Sequence, residues 1–321
     1  MNKNNDLNCV VDVIEKSEKI IILPHILPDG DTIGSSMALC LALRKIKKDA
    51  HILLDEEVPS NIQFLNYIKI DKNIPAHFQY DLIITVDCSD VDRLGERAKC
   101  IKDDINSLNI DHHLTNTYFA RYNIVNSDAA ATAEVIYNLI KSLKISMTKE
   151  IATCLYTGLS TDTGSFKYDN TSSQTHHIAA LLLESDIDLN FINTQLYQNK
   201  PLYKVNLLGD VLNTLSFHFN NQVAILSITE DLLKKHNAKV GDVEGFIEYA
   251  RDIKGVEVGI LLKEMNECEI KVGFRAKYNV DVSEIAQKFH GGGHKKASGC
   301  TIYDHIDGAK QQVIEVIKNY L

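Results

Sequence analysis

Several features common in secreted, membrane and nucleic-acid-coating proteins are missing from this sequence. The seven cysteines (Cys9, Cys40, Cys88, Cys100, Cys154, Cys268 and Cys300) are dispersed and include no C-x-x-C pair. That pattern argues against a disulfide framework and a zinc–thiolate site, and Cys88 reads as buried filler. No stretch approaches the ~18–20 apolar residues of a membrane span. Met1–Asn8 is polar and lacks the apolar core of a signal peptide, so the expected location is the cytoplasm. Positive charge is in deficit, with 34 Lys plus Arg against 43 Asp plus Glu and a net charge of −9. A protein that holds long nucleic acid presents a broad basic surface to neutralise many phosphates. Neither long nucleic acid nor a membrane is therefore expected as a partner. The chain also lacks internal repeats, low-complexity tracts and a G-x-S-x-G nucleophile elbow.

What is present is an ordinary globular composition, 45% hydrophobic and 24% charged over 321 residues, a length suited to two domains. Apolar runs at 19–25, 50–55, 80–87 and 107–111 read as short buried strands. Helical spacing marks 33–45, 131–143 and 149–159. Strands alternating with helices imply an α/β fold with a parallel sheet covered on both faces. Functional residues in such sheets gather beyond the carboxyl ends of the strands. From about Leu215 the pattern changes to a smaller α/β domain, with strands in NQVAILSI, VEVGILLKE and ECEIKVGFRA and helices near Ser283 and over 307–320. The expected boundaries are a first domain over 1–185, a connector over 186–212 with a helix at 201–213, and a second domain over 213–321.

Four polar clusters end strands or helices of the first domain. His25, Asp29 and Asp31 share a turn shaped by Pro28 and Gly30. Asp87 closes LIITVD, and Asp111-His112-His113 follows the next strand. Asp162 lies within the small residues of Gly158–Gly164. Each cluster alone admits a plainer reading: Asp31 or Asp87 as a helix cap, the adjacent histidines as surface residues, Asp162 in a turn. Four such coincidences in one domain favour a shared purpose. Carboxylates with imidazoles and no thiolates suit divalent ions such as Mn²⁺, Mg²⁺ or Co²⁺. Six side chains exceed one catalytic ion's needs and fit two ions about 3.5–4 Å apart, the arrangement of metal-assisted phosphoester hydrolysis.

These motifs resemble those of the DHH phosphoesterase superfamily. Gly291-Gly292-Gly293-His294, with Gly273-Phe274-Arg275 upstream, resembles the C-terminal DHH-associated domain. The subgroup most similar is that of NrnA-type oligoribonucleases and pAp phosphatases. The resemblance implies a parallel-sheet DHH domain with a smaller DHH-associated α/β domain. It implies one metal held by His25, Asp29 and Asp87 and another by Asp31, Asp87, His112 and Asp162, with Asp87 as the bridge. His113 would contact the phosphate, and Asp111 would orient a ligand histidine.

The implied substrates are short RNA (nanoRNA) and 3′-phosphoadenosine 5′-phosphate (PAP), with cyclic di-AMP or its linear product pApA as an alternative. A family II-type pyrophosphatase or a non-catalytic nucleotide-binding module ranks lower. A homodimer is compatible with the resemblance. The segment 290–299 reads as a glycine loop exposing backbone N–H groups, with His294, Lys295 and Lys296 adding charge and Arg275 offering a bidentate fork. Ala276, His290 and Lys167 depart from the subgroup, where serine, a fourth glycine and arginine are common.

Overall fold

A computed structural model describes residues 4–75 and 78–321; Met1–Lys3, part of the polar N-terminal stretch, lie outside the described residues. The run Lys19–Pro24 (β1) is buried at every position after the first, as a strand in a parallel sheet covered on both faces should be. Parallel to it run Asp49–Ile52 (β2), Leu82–Val86 (β3), Asn106–Asp111 (β4) and Tyr122–Val125 (β5), in the order β2-β1-β3-β4-β5. β5 was not anticipated from the sequence.

Successive β1 side chains go to opposite sides. Ile20 and Ile22 enter one core and Ile21 and Leu23 the other, the period-2 alternation of a strand. The first core is covered by Leu7–Lys16 (α1), Gly30–Lys45 (α2), Thr132–Ser142 (α3), Lys149–Asp162 (α4), Ser173–Leu183 (α5) and Leu189–Asn193 (α6). The second is covered by the 3₁₀ turns of Val91–Cys100, through Leu94 and Cys100. α2 is buried on almost every side, and glycine makes its packing against α4 possible. A Cβ on Gly34 would stand 2.4 Å from the Cys154 carbonyl oxygen, and one on Gly158 would stand 2.7 Å from the Asp31 carboxylate. The start of α2 is thereby pressed against α4 from Cys154 to Gly158.

The chain divides after Asn199 into two units. The stretch read as a connector is shared between them. Ile187, Ile192 and Leu196 belong to the first unit's core, and Leu207 and Val211 to a core of the second. The second unit is a six-stranded sheet of Ser216–His218 (β6), Val223–Ile228 (β7), Val258–Asn266 (β8), Glu269–Ala276 (β9), Gly292–His294 (β10) and Ala297–Ile302 (β11). Its order is β10-β11-β9-β8-β7-β6, with only β7 and β8 parallel. Leu202–Leu212 (α7), Glu230–Lys235 (α8) and Ile247–Arg251 (α9) contribute to the core on one side. Val282–Gln287 (α10) and Ile306–Ile317 (α11) contribute to the core on the other.

The glycine segment expected as a loop is in fact the edge strand β10. Two glycines permit it: a Cβ on Gly291 would lie 2.2 Å from the Gly299 carbonyl oxygen, and one on Gly293, at φ +139°, would lie 2.6 Å from the Ala297 carbonyl oxygen and the Ser298 Cα. Among the described residues no helix is long and apolar enough to cross a membrane.

Candidate metal centre

The carboxyl ends of β1, β3 and β4 lie side by side, and each delivers polar side chains to one place. After β1 the chain turns, and His25 is buried with its Nδ1 2.6 Å from the Ile26 carbonyl oxygen. That bond uses Nδ1 as the donor and leaves Nε2 aimed at the carboxylates, 3.4 Å from Asp87 Oδ2 and 4.0 Å from Asp29 Oδ2. His112 repeats the arrangement. Its Nδ1 faces the Ala129 carbonyl oxygen at 3.2 Å, and its Nε2 lies 3.2 Å from Asp162 Oδ2 and 3.8 Å from Asp87 Oδ1. A histidine anchored through one nitrogen with the other aimed at carboxylates is preset as a metal ligand.

Asp87 stands between the two imidazoles. It ends β3 in the left-handed region, at φ +62°, which aspartate tolerates better than most residues. Its carboxylate accepts hydrogen bonds from Thr32 Oγ1 at 2.6 Å and Thr132 Oγ1 at 2.8 Å. Burial alone would raise its pKa. The His25 hydrogen bond and the charges of His112, His113 and His25 outweigh that and hold the group well below the usual carboxylate range.

Asp31 is fully buried in the first turn of α2 and accepts from the first backbone N–H groups of α3, Thr132 at 2.6 Å and Ala133 at 3.0 Å, and from Ser35 Oγ at 3.0 Å. The cap of α2 is Asp29, which accepts from the Thr32 N–H, whereas Asp31 is held by the start of α3. Burial, followed by the charges of Asp87 and Asp29, raises Asp31 well above the ordinary range. Burial and the charges of Asp31, Asp29 and Asp87 do the same to Asp162. Four carboxylates converge here, and the repulsion between them calls for cations.

The donor set fits that demand. His25, Asp29 and Asp87 form one group of ligand atoms within 4.8 Å of one another. Asp31, His112 and Asp162 form a second, and Asp87, His112 and His113 a third. All seven of these side chains were singled out in the sequence, and the fold brings them together. Oxygen and imidazole donors without sulfur match Mn²⁺, Mg²⁺ or Co²⁺. Burial, with the Asp87 and Asp111 charges, pushes the Cys88 thiol far up, so it adds no thiolate.

Asp111 was expected to orient a ligand histidine. Its histidine partner is His113, whose Nδ1 it bonds at 2.7 Å, and it is itself held by Asn116 Nδ2 at 2.5 Å. The reason is alternation in extended backbone, which puts residues 111 and 113 on one side and His112 on the other. Burial alone would lower the His113 pKa. The Asp111 hydrogen bond and the charges of Asp87 and Asp111 reverse this and push it up to about 9. The sequence reading also missed Thr32, Thr132, Ser35 and Asn116. Of these only Thr32, adjoining Asp31, carried a local signal.

In the second unit, Arg275 lies on β9 with its Nε 3.6 Å from Glu248 Oε1. His294 ends β10, whose residues pair with β11 as Gly292↔Gly299, Gly293↔Ser298 and His294↔Ala297.

Comparison with known proteins agrees with this geometry. The model of the DHH family's N-terminal domain matches residues 19–159, and that of the DHHA1 domain matches residues 220–321. The bifunctional oligoribonuclease and PAP phosphatase NrnA of Thermus thermophilus is 32% identical over 98% of this chain and 94% of its own. The chain belongs to the DHH family. The DHH match contains every residue of the cluster except Asp162, which lies just beyond its end. A Bacillus subtilis protein of the same name is 26% identical over 92% of each chain. The crystal structure of an exopolyphosphatase-related protein from Bacteroides fragilis superposes with a TM-score of 0.90 at 28% identity, covering 98% of this chain and 96% of that one.

Proposed function

We propose that this DHH-family chain is a two-metal phosphoesterase that hydrolyses short oligoribonucleotides to mononucleotides and PAP to AMP. The observation that carries the reading is Asp87, which lies within reach of both His25 and His112 and belongs to more than one ligand group. In the proposed assignment His25, Asp29 and Asp87 hold one ion, and Asp31, His112 and Asp162 hold the second with Asp87 shared. Bound divalent ions supply Lewis acidity and a water of lowered pKa. The chain's own residues do the rest. Thr32 and Thr132 fix the Asp87 carboxylate, the start of α3 fixes Asp31, and Asp111 keeps His113 protonated as a positive contact for a phosphate oxygen. Arg275, Gly291, Gly292, Gly293 and His294 are the proposed substrate-binding residues of the second unit.

The names of the Thermus and Bacillus relatives support the substrate class. Mn²⁺ is the proposed ion and the cytoplasm the proposed location, which the seven free thiols suit; a homodimer is the proposed assembly. The test is Mn²⁺-dependent turnover of PAP, a labelled RNA trimer, pApA and pyrophosphate side by side. Cleavage of the first two is expected, and a strong bias to pApA would reassign the chain to cyclic-dinucleotide turnover. Pyrophosphate as sole substrate would overturn the assignment. Asp87→Ala should leave no measurable turnover of any of them, and normal activity in that variant would remove the two-metal reading.

A further inference from the structure

One face of the second unit's sheet carries a groove that begins at the proposed substrate contact Gly291 and extends past it to a pair of lysines that the proposed contacts do not include. It has a volume of about 670 Å³ and is lined by residues of β8, β9 and β11 together with Phe289, His290, Gly291 and Tyr303. Its construction follows from strand register. Lys263 on β8 stands directly opposite Lys271 on β9, which in turn stands opposite Thr301 on β11. Two residues along, Gly273, Gly299 and Gly292 are in register across β9, β11 and β10. Two residues further again, Arg275 pairs with Ala297. Alternate residues of a strand share a face, so a glycine strip runs between the lysine row and Arg275, covered at Gly273 by Ile247, whose Cδ1 is 3.4 Å from where a Cβ would be, and open towards Gly299 and Gly292. No atom outside the neighbouring backbone lies within 4 Å of where a Cβ on Gly292 would be, and a Cβ on Gly299 would meet only the Val272 carbonyl oxygen, at 3.1 Å.

The lysine pair is an unusual thing to build. Like charges directly opposite on neighbouring strands repel, and Lys263 is half-buried. Burial lowers its pKa, and Lys271 and Arg275 lower it further, with Glu244 the opposing acid. An anion lying between them would relieve the repulsion. The open end of the strip at Gly299 and Gly292 admits a flat group against the backbone, and Tyr303, 81% exposed at the rim, offers a ring for a base to stack on.

We propose that this groove is a second nucleotide subsite, in which Lys263 and Lys271 hold a backbone phosphate of an oligoribonucleotide while Arg275 holds another. The proposal rests on the phosphoesterase reading above and adds a length preference to it. Arg275 and Lys271 are four residues apart on one strand, roughly 13 Å. A substrate with more than one linked nucleotide can engage both, whereas PAP held at Arg275 does not depend on the lysines.

The test compares the unaltered protein with a Lys263→Gln/Lys271→Gln double variant. Binding of a 5′-labelled ribopentamer is followed by fluorescence anisotropy in chelator, and turnover of PAP is followed with Mn²⁺. The variant should bind the pentamer about tenfold or more weakly, as expected when charged hydrogen bonds are removed. The slope of log affinity against log salt should become shallower by about 0.7 for each phosphate the variant no longer neutralises. PAP turnover should be unchanged, which also shows that the variant is folded. A pentamer that binds both proteins equally, or neither, overturns the subsite. If the pentamer binds as expected but neither RNA nor PAP is hydrolysed, the phosphoesterase reading fails and the groove remains an RNA-binding site.

Discussion

Thr132 touches two members of the cluster at once, Asp87 through its hydroxyl and Asp31 through its backbone N–H. Replacing it with valine keeps the shape and the N–H and removes only the hydroxyl. Partners of this kind are worth about 10–100-fold in metal affinity, so Thr132→Val should weaken Mn²⁺ binding by that order in calorimetric titration. An unchanged affinity would reduce the hydroxyl to packing. His113 gives a pH-dependent counterpart in the metal-stripped protein. Its folded pKa, about 9, is above the ordinary imidazole value. Its contribution to stability is therefore complete below about pH 6.5 and is lost as pH rises through about 9. Thermal melts of the chelated protein should show that loss, and His113→Asn should flatten it. A profile that is the same in both proteins would remove His113 as its source. The metal-facing side chains were legible in the sequence because apolar runs announce strands and parallel sheets put chemistry at strand ends. Thr132 was not, because its partner Asp31 lies 101 residues away and a hydroxyl at a helix start usually signals nothing more than a cap.

At the scale of elements, the position of Asp31 against α4 depends on two absent side chains. Alanine at Gly34 would drive a methyl group into the Cys154 carbonyl oxygen, and backbone on both sides leaves it nowhere to go. Overpacking of this kind costs about 1–3 kcal/mol, and each kcal/mol lowers Tm by roughly 2–4 °C for a unit of this size. Gly34→Ala should therefore melt several degrees lower by calorimetry, with metal affinity reduced as α2 shifts. An unaltered Tm would mean that α2 and α4 can separate freely. The long buried strands and the amphipathic helices were readable from periodicity. β5 was not: Tyr122–Val125 is a four-residue strand containing an asparagine, too short to show a pattern. β10 was hidden because three glycines advertise a loop, and only the register with β11 shows why two of them are required.

For the whole molecule, the four converging carboxylates make the first unit's stability a function of metal. A ligand that binds only the folded state at 100 times its dissociation constant adds about 2.7 kcal/mol. Mn²⁺ at that excess should raise the first unit's calorimetric transition and chelator should lower it, with the second unit's transition unmoved. Equal shifts in both transitions, or none, would count against a metal centre confined to the first unit. The net charge of −9 places no demand on long nucleic acid, and the local concentration of Arg275, Lys263 and Lys271 is consistent with ligands bearing few phosphates.

The order of the ligands along the chain also matters for synthesis. His25 through Asp162 all precede the division after Asn199, so the ribosome completes the cluster before it begins the second unit. At roughly 5–20 residues per second the residues that follow occupy it for on the order of ten seconds, longer than many single domains need to fold. Loading can then begin on the nascent chain, and the free cation pool at the tunnel exit would have first claim on which ion the enzyme carries.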